Sequence, residues 1–315
     1  MPAPDLRIHD NQPVRTMMMD GISIRSDVLS TNDKGEEKDS LQKRTRKILQ
    51  KLCPALQRIL LPEEAVLYVM RARSPLSVIE QLTAAWWTAA LAACTIVVTN
   101  KRILFFPVKR SGGWRESVRA VHWGDLEEIK TKGVIVRNVS FKFKNGAKST
   151  YTNFRRADAK KLTAIASALI PAASGEVTSA QGLIQLCPDC CDVLTGGQYS
   201  CPRCGLIFKN EKTMVLRSIF LPGGGYFYTG HPLIATLPAV VEAFLVIEIL
   251  LVLFAGMASP KAVPDLVAGL LVLGIFWALE TGVTILHCRR YVRDFIPEKR
   301  DPARVPPGAI PKTGC

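Results

Sequence analysis

The chain has no apolar run behind a basic start. Its opening, MPAPDLRIHDNQPVRTMMMDGISIRSD, lacks the hydrophobic stretch of a secretory signal, so the segments ahead of any later apolar run are expected in the cytosol. Histidine is scarce, with four in 315 residues. His9 is near the start, His122 in a β-run, and His231 and His287 beside long apolar segments, none in ligand spacing to the cysteines. No phosphate-cradling loop, activated nucleophile or general base is recognisable, so catalysis is not expected. Acidic residues are in deficit: 27 Asp and Glu stand against 41 Lys and Arg, a formal net charge of +14. Such an excess suits anionic partners, phospholipid headgroups or nucleic acid.

Cysteine, by contrast, is concentrated. Five of nine lie in CPDCCDVLTGGQYSCPRCG, Cys187 to Gly205. In a reducing cytosol clustered thiols point to metal before disulfides. Cys187, Cys190, Cys201 and Cys204 form C-x2-C-x10-C-x2-C. Two residues between thiols let both sulfurs of a knuckle reach one ion at about 2.3 Å. The intervening residues are expected to form a hairpin turning at Gly196-Gly197. Both knuckles read CPxC, and the segment resembles the zinc ribbons, whose knuckles usually read CPxCG. Cys191 stands where the first knuckle would carry glycine and reads as a spare thiol. The resemblance implies one structural Zn2+ per chain, and a shell closed by four thiolates leaves no position for catalytic water. A ribbon this small draws most of its folding energy from the metal. The competing reading is a thiol-redox protein, since a CPxC pair also suits thiol exchange. The loop between the knuckles has no basic residue and one aromatic, Tyr199, which argues against nucleic acid.

Residues 1–40, rich in Asp, Ser, Asn and Gly, read as a disordered arm. A helix is predicted over 41–61, where Leu41, Ile48, Leu49, Leu52 and Leu56 recur at helical intervals between an Asp39 or Ser40 N-cap and a stop at Pro62. Lys43, Arg44, Arg46, Lys47 and Lys51 make it basic and amphipathic. Two readings stay open: the helix lies on an anionic membrane surface, or it packs on the next domain with its charges solvated.

Residues 62–170 switch to short strands. CTIVVTNKRILFFPV reads as two strands around Asn100-Lys101-Arg102, VRAVHWGDLEEIKTKG as one more, and VSFKFKNGAKSTYTNF as a hairpin. In that hairpin Val139, Phe141 and Phe143 face one way and Ser140, Lys142 and Lys144 the other, with Asn145-Gly146 as a two-residue type I′ turn. A helix follows, its apolar face Ala159, Leu162, Ile165 and Leu169, with Asp158 near its start. The TNKR of Thr99 to Arg102, followed by the apolar Ile103 to Phe106, resembles the bacterial pleckstrin-homology-like (GRAM-like) domains over about a third of the chain. The resemblance implies a half-barrel closed by a C-terminal helix. The apolar stretch Leu82 to Thr99 is either a buried helix and strand or a shallow membrane-dipping element. From Lys101 to Lys161 there are 16 basic and five acidic residues. Contact with anionic phospholipid is expected through Lys101, Arg102, Lys142, Lys144 and Lys148, each worth about 1 kcal/mol near the surface.

After a linker at 171–185 and the ribbon at 186–208, residues 209–232 are rich in glycine and aromatics, and two apolar helices are predicted at 233–256 and 266–287. Three glycines, Gly223 to Gly225, permit a tight re-entrant turn, while Tyr226, Phe227 and Tyr228 suit the headgroup level. With Gly230, Phe227 and Tyr228 also resemble the FYxG of small two-helix bacterial membrane hairpins. Lys209, Lys212 and Arg217 precede the helices, and Arg289, Arg290, Arg293, Lys299 and Arg300 follow them in the basic tail 288–315, against one Lys261 between. The positive-inside rule then places both termini in the cytosol of a bacterial inner membrane. Glu242, Glu248 and Glu280 fall within the apolar helices, where carboxylates are functional candidates. An antiparallel hairpin brings Glu242 and Glu280 to one depth, able to share a proton.

The expectation is a multi-domain membrane protein of α+β class: a PH-like half-barrel, a zinc-ribbon hairpin and a helical membrane hairpin. Its function reads as a membrane adaptor that binds anionic lipid or a protein partner. The alternatives are a small transport or proton-handling subunit using Glu242 and Glu280, or redox chemistry at the CPxC pairs.

Overall fold

Between Val66 and Pro107 the chain passes through three strands with little alternation of buried and exposed positions, because both faces of their sheet are covered. The structure, a computed structural model, describes residues 15–31, 36–84, 92–109, 111–134, 137–173, 175, 177–258 and 263–298. The described residues within Met1–Ser77 and Thr88–Leu206 form one unit, and those within Val78–Trp87 and Ile207–Glu298 another. Parts of four sequence expectations lie outside the described residues: the arm before residue 15, the middle of the 82–99 stretch, the link at 259–262 and the tail beyond 298.

The first unit opens with β1 (Thr16–Met19), β2 (Ile22–Arg25) and a helical turn, α1 (Ser26–Leu29). Helix α2 (Asp39–Ile59) leads to β3 (Val66–Arg73), β4 (Ala93–Thr99), β5 (Arg102–Pro107) and β6 (Val118–His122). A 3-10 turn at Trp123–Asp125 separates these from β7 (Leu126–Lys132), β8 (Arg137–Phe143) and β9 (Lys148–Phe154). The two antiparallel groups meet where Arg73 of β3 pairs with Thr152 of β9, and the sheet curls into a half-barrel. After α3 (Val78–Ala84), which belongs to the second unit, the next helix in the chain is α4 (Arg156–Ala172), packed inside the curl. There Phe105 stacks on Tyr151 with ring centroids 4.7 Å apart and meets Phe141 edge-on at 5.4 Å.

The opposite face carries a second core. Ile48, Leu49, Leu52, Leu56 and Ile59 of α2 are buried against Val66, Val69, Val97, Leu104 and Phe106. Five such side chains contribute on the order of 10 kcal/mol of apolar burial. This decides between the two readings of the helix: its apolar face belongs to the sheet, and only its basic face is exposed.

Four expectations need correction. Residues 16–29 are not a disordered arm. Asp20 and Gly21, with φ of 50° and 79°, make the left-handed turn of a hairpin, and Ile22, Ile24 and Leu29 are buried in the second core. The N-cap of α2 is Lys38, with no side-chain cap bond, not Asp39 or Ser40. VRAVHWGDLEEIKTKG is two strands, not one, because Trp123 is drawn into the core and donates its indole N–H to the Thr99 carbonyl at 3.0 Å. At Asn145-Gly146 only Gly146 has positive φ, 79°, and its N–H donates to the Phe143 carbonyl at 3.0 Å. The connection is therefore a type I turn with a glycine bulge, which moves Lys144 into the loop.

The second unit holds α3, α5 (Glu211–Phe220), α6 (Gly224–Thr229), α7 (Pro232–Ala258) and α8 (Val263–Arg293). Asn210 caps α5 by accepting from the Thr213 N–H at 2.7 Å. The segments entering and leaving this helical array pair: Lys209 donates its N–H to the Ile296 carbonyl and Glu298 to that of Ile207, both at 3.0 Å. The array thus begins and ends on one side.

Candidate functional site

The four cysteines of the two knuckles converge. The thiol sulfurs of Cys187, Cys190, Cys201 and Cys204 all lie within 4.8 Å of one another. The shortest approaches cross between knuckles, Cys187 to Cys204 and Cys190 to Cys201, each 3.5 Å. Four sulfurs at 2.3 Å from a tetrahedral ion are ~3.8 Å apart, so the donor set fits zinc. A redox pair would need the two thiols of one CPxC to approach each other, and these contacts instead cross from knuckle to knuckle. Burial pushes the Cys187 thiol up and Cys190 to about 12, so without an ion both are protonated at neutral pH.

The knuckles repeat one backbone pattern. Cys191 donates its N–H to the Cys187 carbonyl at 3.0 Å and Gly205 to that of Cys201 at 2.9 Å, and both residues are left-handed, with φ of 58° and 73°. Cys191 therefore does occupy the glycine slot. Its thiol instead points to the Arg58 carbonyl, 3.5 Å away at the end of α2, and Asp189 lies 3.8 Å from the Arg58 guanidinium. Strand β10 (Ile184–Leu186), just ahead of the first knuckle, pairs with β6 on one side and with β11 (Val193–Leu194) on the other. This strand pair brackets the first knuckle, and the turn expected at Gly196-Gly197 follows it, with Gly197 at φ 87° and the Gln198 N–H donating to the Thr195 carbonyl at 3.3 Å. The metal cluster is an extension of the half-barrel sheet and shares its second core through Leu186.

The TNKR turn proves to be a structural lock. Thr99 Oγ1 donates to Glu64 Oε1 at 2.7 Å, and the Arg102 guanidinium donates to both Glu64 oxygens at 3.0 Å and to the Ile59 carbonyl at 2.7 Å. Asn100 binds the backbone of Glu63 and Ala65, and Lys101 donates to the Pro62 carbonyl at 3.1 Å. Arg102 is only 3% exposed, so it leaves the proposed lipid set: its charge is neutralised inside the fold by Glu64. Two other cations are also held by buried partners. Arg44 forks onto Asp158, which also accepts from the Tyr68 hydroxyl at 2.9 Å. Lys161, 1% exposed, donates to the carbonyls of Val28 and Thr31 beside the Tyr68 ring. Sequence alone counted all three as surface charge.

Lys101, Lys142, Lys144 and Lys148 are exposed. Lys142 is 2.5 Å from Glu127 and pairs across strands with Lys148. The exposed face of α2 adds Lys43, Arg46 and Lys47.

In the second unit two stretches, Pro232–Leu251 and Val267–Arg293, are long and apolar enough to cross a membrane, with mean hydropathy 2.2 and 1.9. The three glycines before them are packing positions, not a re-entrant loop. A Cβ on Gly223 would strike the Ala235 carbonyl, on Gly224 the Arg217 carbonyl, and on Gly225 the Ser218 hydroxyl and Thr284 methyl. Tyr226 and Tyr228 are buried and only Phe227 is exposed, which corrects their assignment to the headgroup level. Tyr228 donates to Glu298 at 2.8 Å, and burial pushes its hydroxyl up to about 12. Tyr226 lies 2.5 Å from His287 Nδ1. Glu242 is buried, its Oε1 without a hydrogen-bond partner among the described residues, whereas Glu248 is exposed. The sequence missed the contacts of Thr284 with Glu280 and of Tyr226 with His287; the only signal was a histidine at the end of an apolar run.

Comparison with known proteins agrees with this geometry in one region. Residues 60–167 match the Bacterial PH domain family. No curated protein matches the chain.

Proposed function

We propose that the chain is a non-enzymatic adaptor held in a bacterial inner membrane by α7 and α8, with both termini and its metal-bound PH-like unit in the cytosol. The observation that carries it is the outward apolar surface of the two helices. Phe244, Leu251, Leu271 and Ile275 are each more than 60% exposed, a state that hydrocarbon satisfies and water does not. A core helix of a soluble protein would bury these side chains. The backbone bonds that join the two ends of the array support this reading, since the positive-inside rule wants both flanking basic segments on one side of two spans.

Tethered there, the basic unit sits at a high effective concentration over acidic headgroups, so weak electrostatic contact is enough. Two faces offer it: Lys101, Lys142, Lys144 and Lys148 around the β8–β9 hairpin, and Lys43, Arg46 and Lys47 on α2. The Glu127–Lys142 pair is half-exposed and worth little, so headgroup phosphate competes with it readily. One zinc ion at the four cysteines keeps the extended sheet intact.

Sedimentation with phosphatidylglycerol vesicles tests the lipid contact, using residues 15–206. Binding should fall steeply as salt is raised, and Lys→Glu changes at either Lys142, Lys144 and Lys148 or at Lys43 and Lys47 with Arg46→Glu should identify the face. Binding that ignores salt and both variants would leave a protein partner as the function of the unit.

A further inference from the structure

Two short helices of the second unit turn large apolar side chains outward. In α3, Val78, Ile79 and Leu82 are 72%, 60% and 76% exposed. They fall within one arc of about 100° around the helix, and Glu80, on the far side, is half-buried. The division repeats in α5: Leu216 and Phe220, one turn apart, are 55% and 73% exposed, while Met214 and Ser218 on the other side are buried. Both helices pack against α8. An ion pair fixes the level of α5, since Glu211 at its start lies 2.6 Å from Arg289, among the cations that end α8. Neither helix is long enough to cross a bilayer. The seven residues of α3 extend ~10 Å and the ten of α5 ~15 Å, against a hydrocarbon core of ~30 Å. The place of α3 in the chain is also unusual. It lies between β3 and β4, in a connection closed at its base where Ser74 donates its N–H to the Ala92 carbonyl at 2.8 Å. Two adjacent antiparallel strands need only about two to five residues to turn, so the sheet itself does not account for residues 75–91.

We propose that α3 is a membrane-dipping helix: Val78, Ile79 and Leu82 enter the acyl chains of the cytosolic leaflet beside α8, and the β3–β4 connection thereby anchors the PH-like unit to the bilayer. The occupant of the outward face is lipid, because α3 packs on a helix whose own outward surface, Leu271 and Ile275 among it, is the kind that hydrocarbon covers. Three large apolar groups on one side of a seven-residue helix are a poor surface for water and a good one for the interface plane, where a short amphipathic helix lies with its apolar face in the chains. The same layer suits α5, whose exposed Lys212 has the reach to meet a phosphate while Leu216 and Phe220 enter the chains. The inference rests on the membrane reading of α7 and α8 and adds a lipid contact that two spans do not require. A separate point of attachment restricts how the PH-like unit turns over the surface, which raises the effective concentration of its basic side chains at the headgroups.

The test is photolabelling of the full chain in vesicles of phosphatidylethanolamine and phosphatidylglycerol that include a phospholipid with a diazirine on its acyl chain, the adducts being located by digestion and mass spectrometry. Adducts are expected on the peptide that holds Val78, Ile79 and Leu82 and on those that hold Phe244 and Ile275, with none on Val134, an apolar side chain 85% exposed in the first unit. Ile79→Glu with Leu82→Glu should abolish the α3 adducts and leave those of α7 and α8. Both side chains are more than half exposed, so the change removes little packing. An unlabelled α3 beside labelled α7 and α8 would overturn the proposal alone, whether water or a protein covers the helix. Absence of adducts on all three would overturn the membrane reading with it. Labelling of Val134 equal to that of α3, or α3 adducts that persist in the glutamate variant, would also overturn the proposal, since the adducts would then not report insertion. Should the variant misfold, the wild-type pattern decides.

Discussion

Arg102 and Glu64 form an ion pair 3.0 Å apart with almost no solvent access, their side chains 4% and 0% exposed. Glu64 follows α2 and Arg102 opens β5, so the pair joins the helix of the second core to the first hairpin of the sheet. Thr99 and the Ile59 carbonyl satisfy the remaining polar atoms. The TNKR that marks this domain in the sequence is thus the imprint of a buried lock.

Breaking the lock on one side leaves a buried charge without its partner. Arg102→Ala is expected to destabilise residues 15–206 by about 3–5 kcal/mol in urea unfolding. Replacing both partners, Arg102→Met with Glu64→Leu, should recover most of that loss. A double variant as unstable as the single would mean that the pair is not the source of the effect.

The folding unit is larger than the family match. A fragment of residues 62–170 lacks α2, the β1–β2 hairpin and β10, and so exposes Val69, Leu104 and Phe106 on the second face of the sheet. It should aggregate or bind a hydrophobic dye strongly, whereas residues 15–206 should be monomeric and unfold in one transition. A well-behaved 62–170 fragment would show that α2 is dispensable.

How legible was this in the sequence? The strands from Val66 to Phe106 and the cysteine spacing could be read directly, because runs of β-branched residues and ligand intervals are local signals. The role of α2 could not, since a basic amphipathic helix has the same periodicity whether its apolar face meets a sheet or a membrane. The hairpin at Asp20-Gly21 carried a recognisable turn signal but was overridden by the polar composition around it. Arg102 and Lys161 looked like surface charge because burial depends on residues far along the chain, Glu64 for one and Val28 and Thr31 for the other. The contact of Tyr226 with His287 was hidden because it is reached through three glycines with no room for a side chain.

Metal removal should be felt beyond the cysteines. Cys201→Ser is expected to lose the zinc and Cys191→Ser to keep it, as elemental analysis would report. Because β10 lies between the knuckle and β6, chelation should also raise hydrogen exchange at Val118, Ala120 and Leu186. Retention should weaken as pH falls, since the thiols must lose protons to bind. Exchange at β6 that ignores chelation would separate the ribbon from the sheet.

The glycines of the second unit divide sharply. On Gly224 a methyl group would run into the Arg217 carbonyl, and on Gly223, already at φ 62°, into that of Ala235. Both obstacles are backbone, which cannot rotate away, so Gly224→Ala and Gly223→Ala should force α6 off α5 and α7. Gly225 meets mainly the Ser218 hydroxyl and the Thr284 methyl, side-chain atoms that can turn aside, so Gly225→Ala should be milder while still disturbing Tyr226. At Gly269 and Gly274 on α8 an added methyl group would meet nothing within 4 Å, so alanine there removes only flexibility and should be neutral or stabilising by up to about 1 kcal/mol. Thermal inactivation of the detergent-solubilised chain should therefore rank Gly224→Ala and Gly223→Ala as the least stable and Gly274→Ala as at least as stable as the parent. Equal tolerance at all five positions would mean that α6 does not pack where the structure has it.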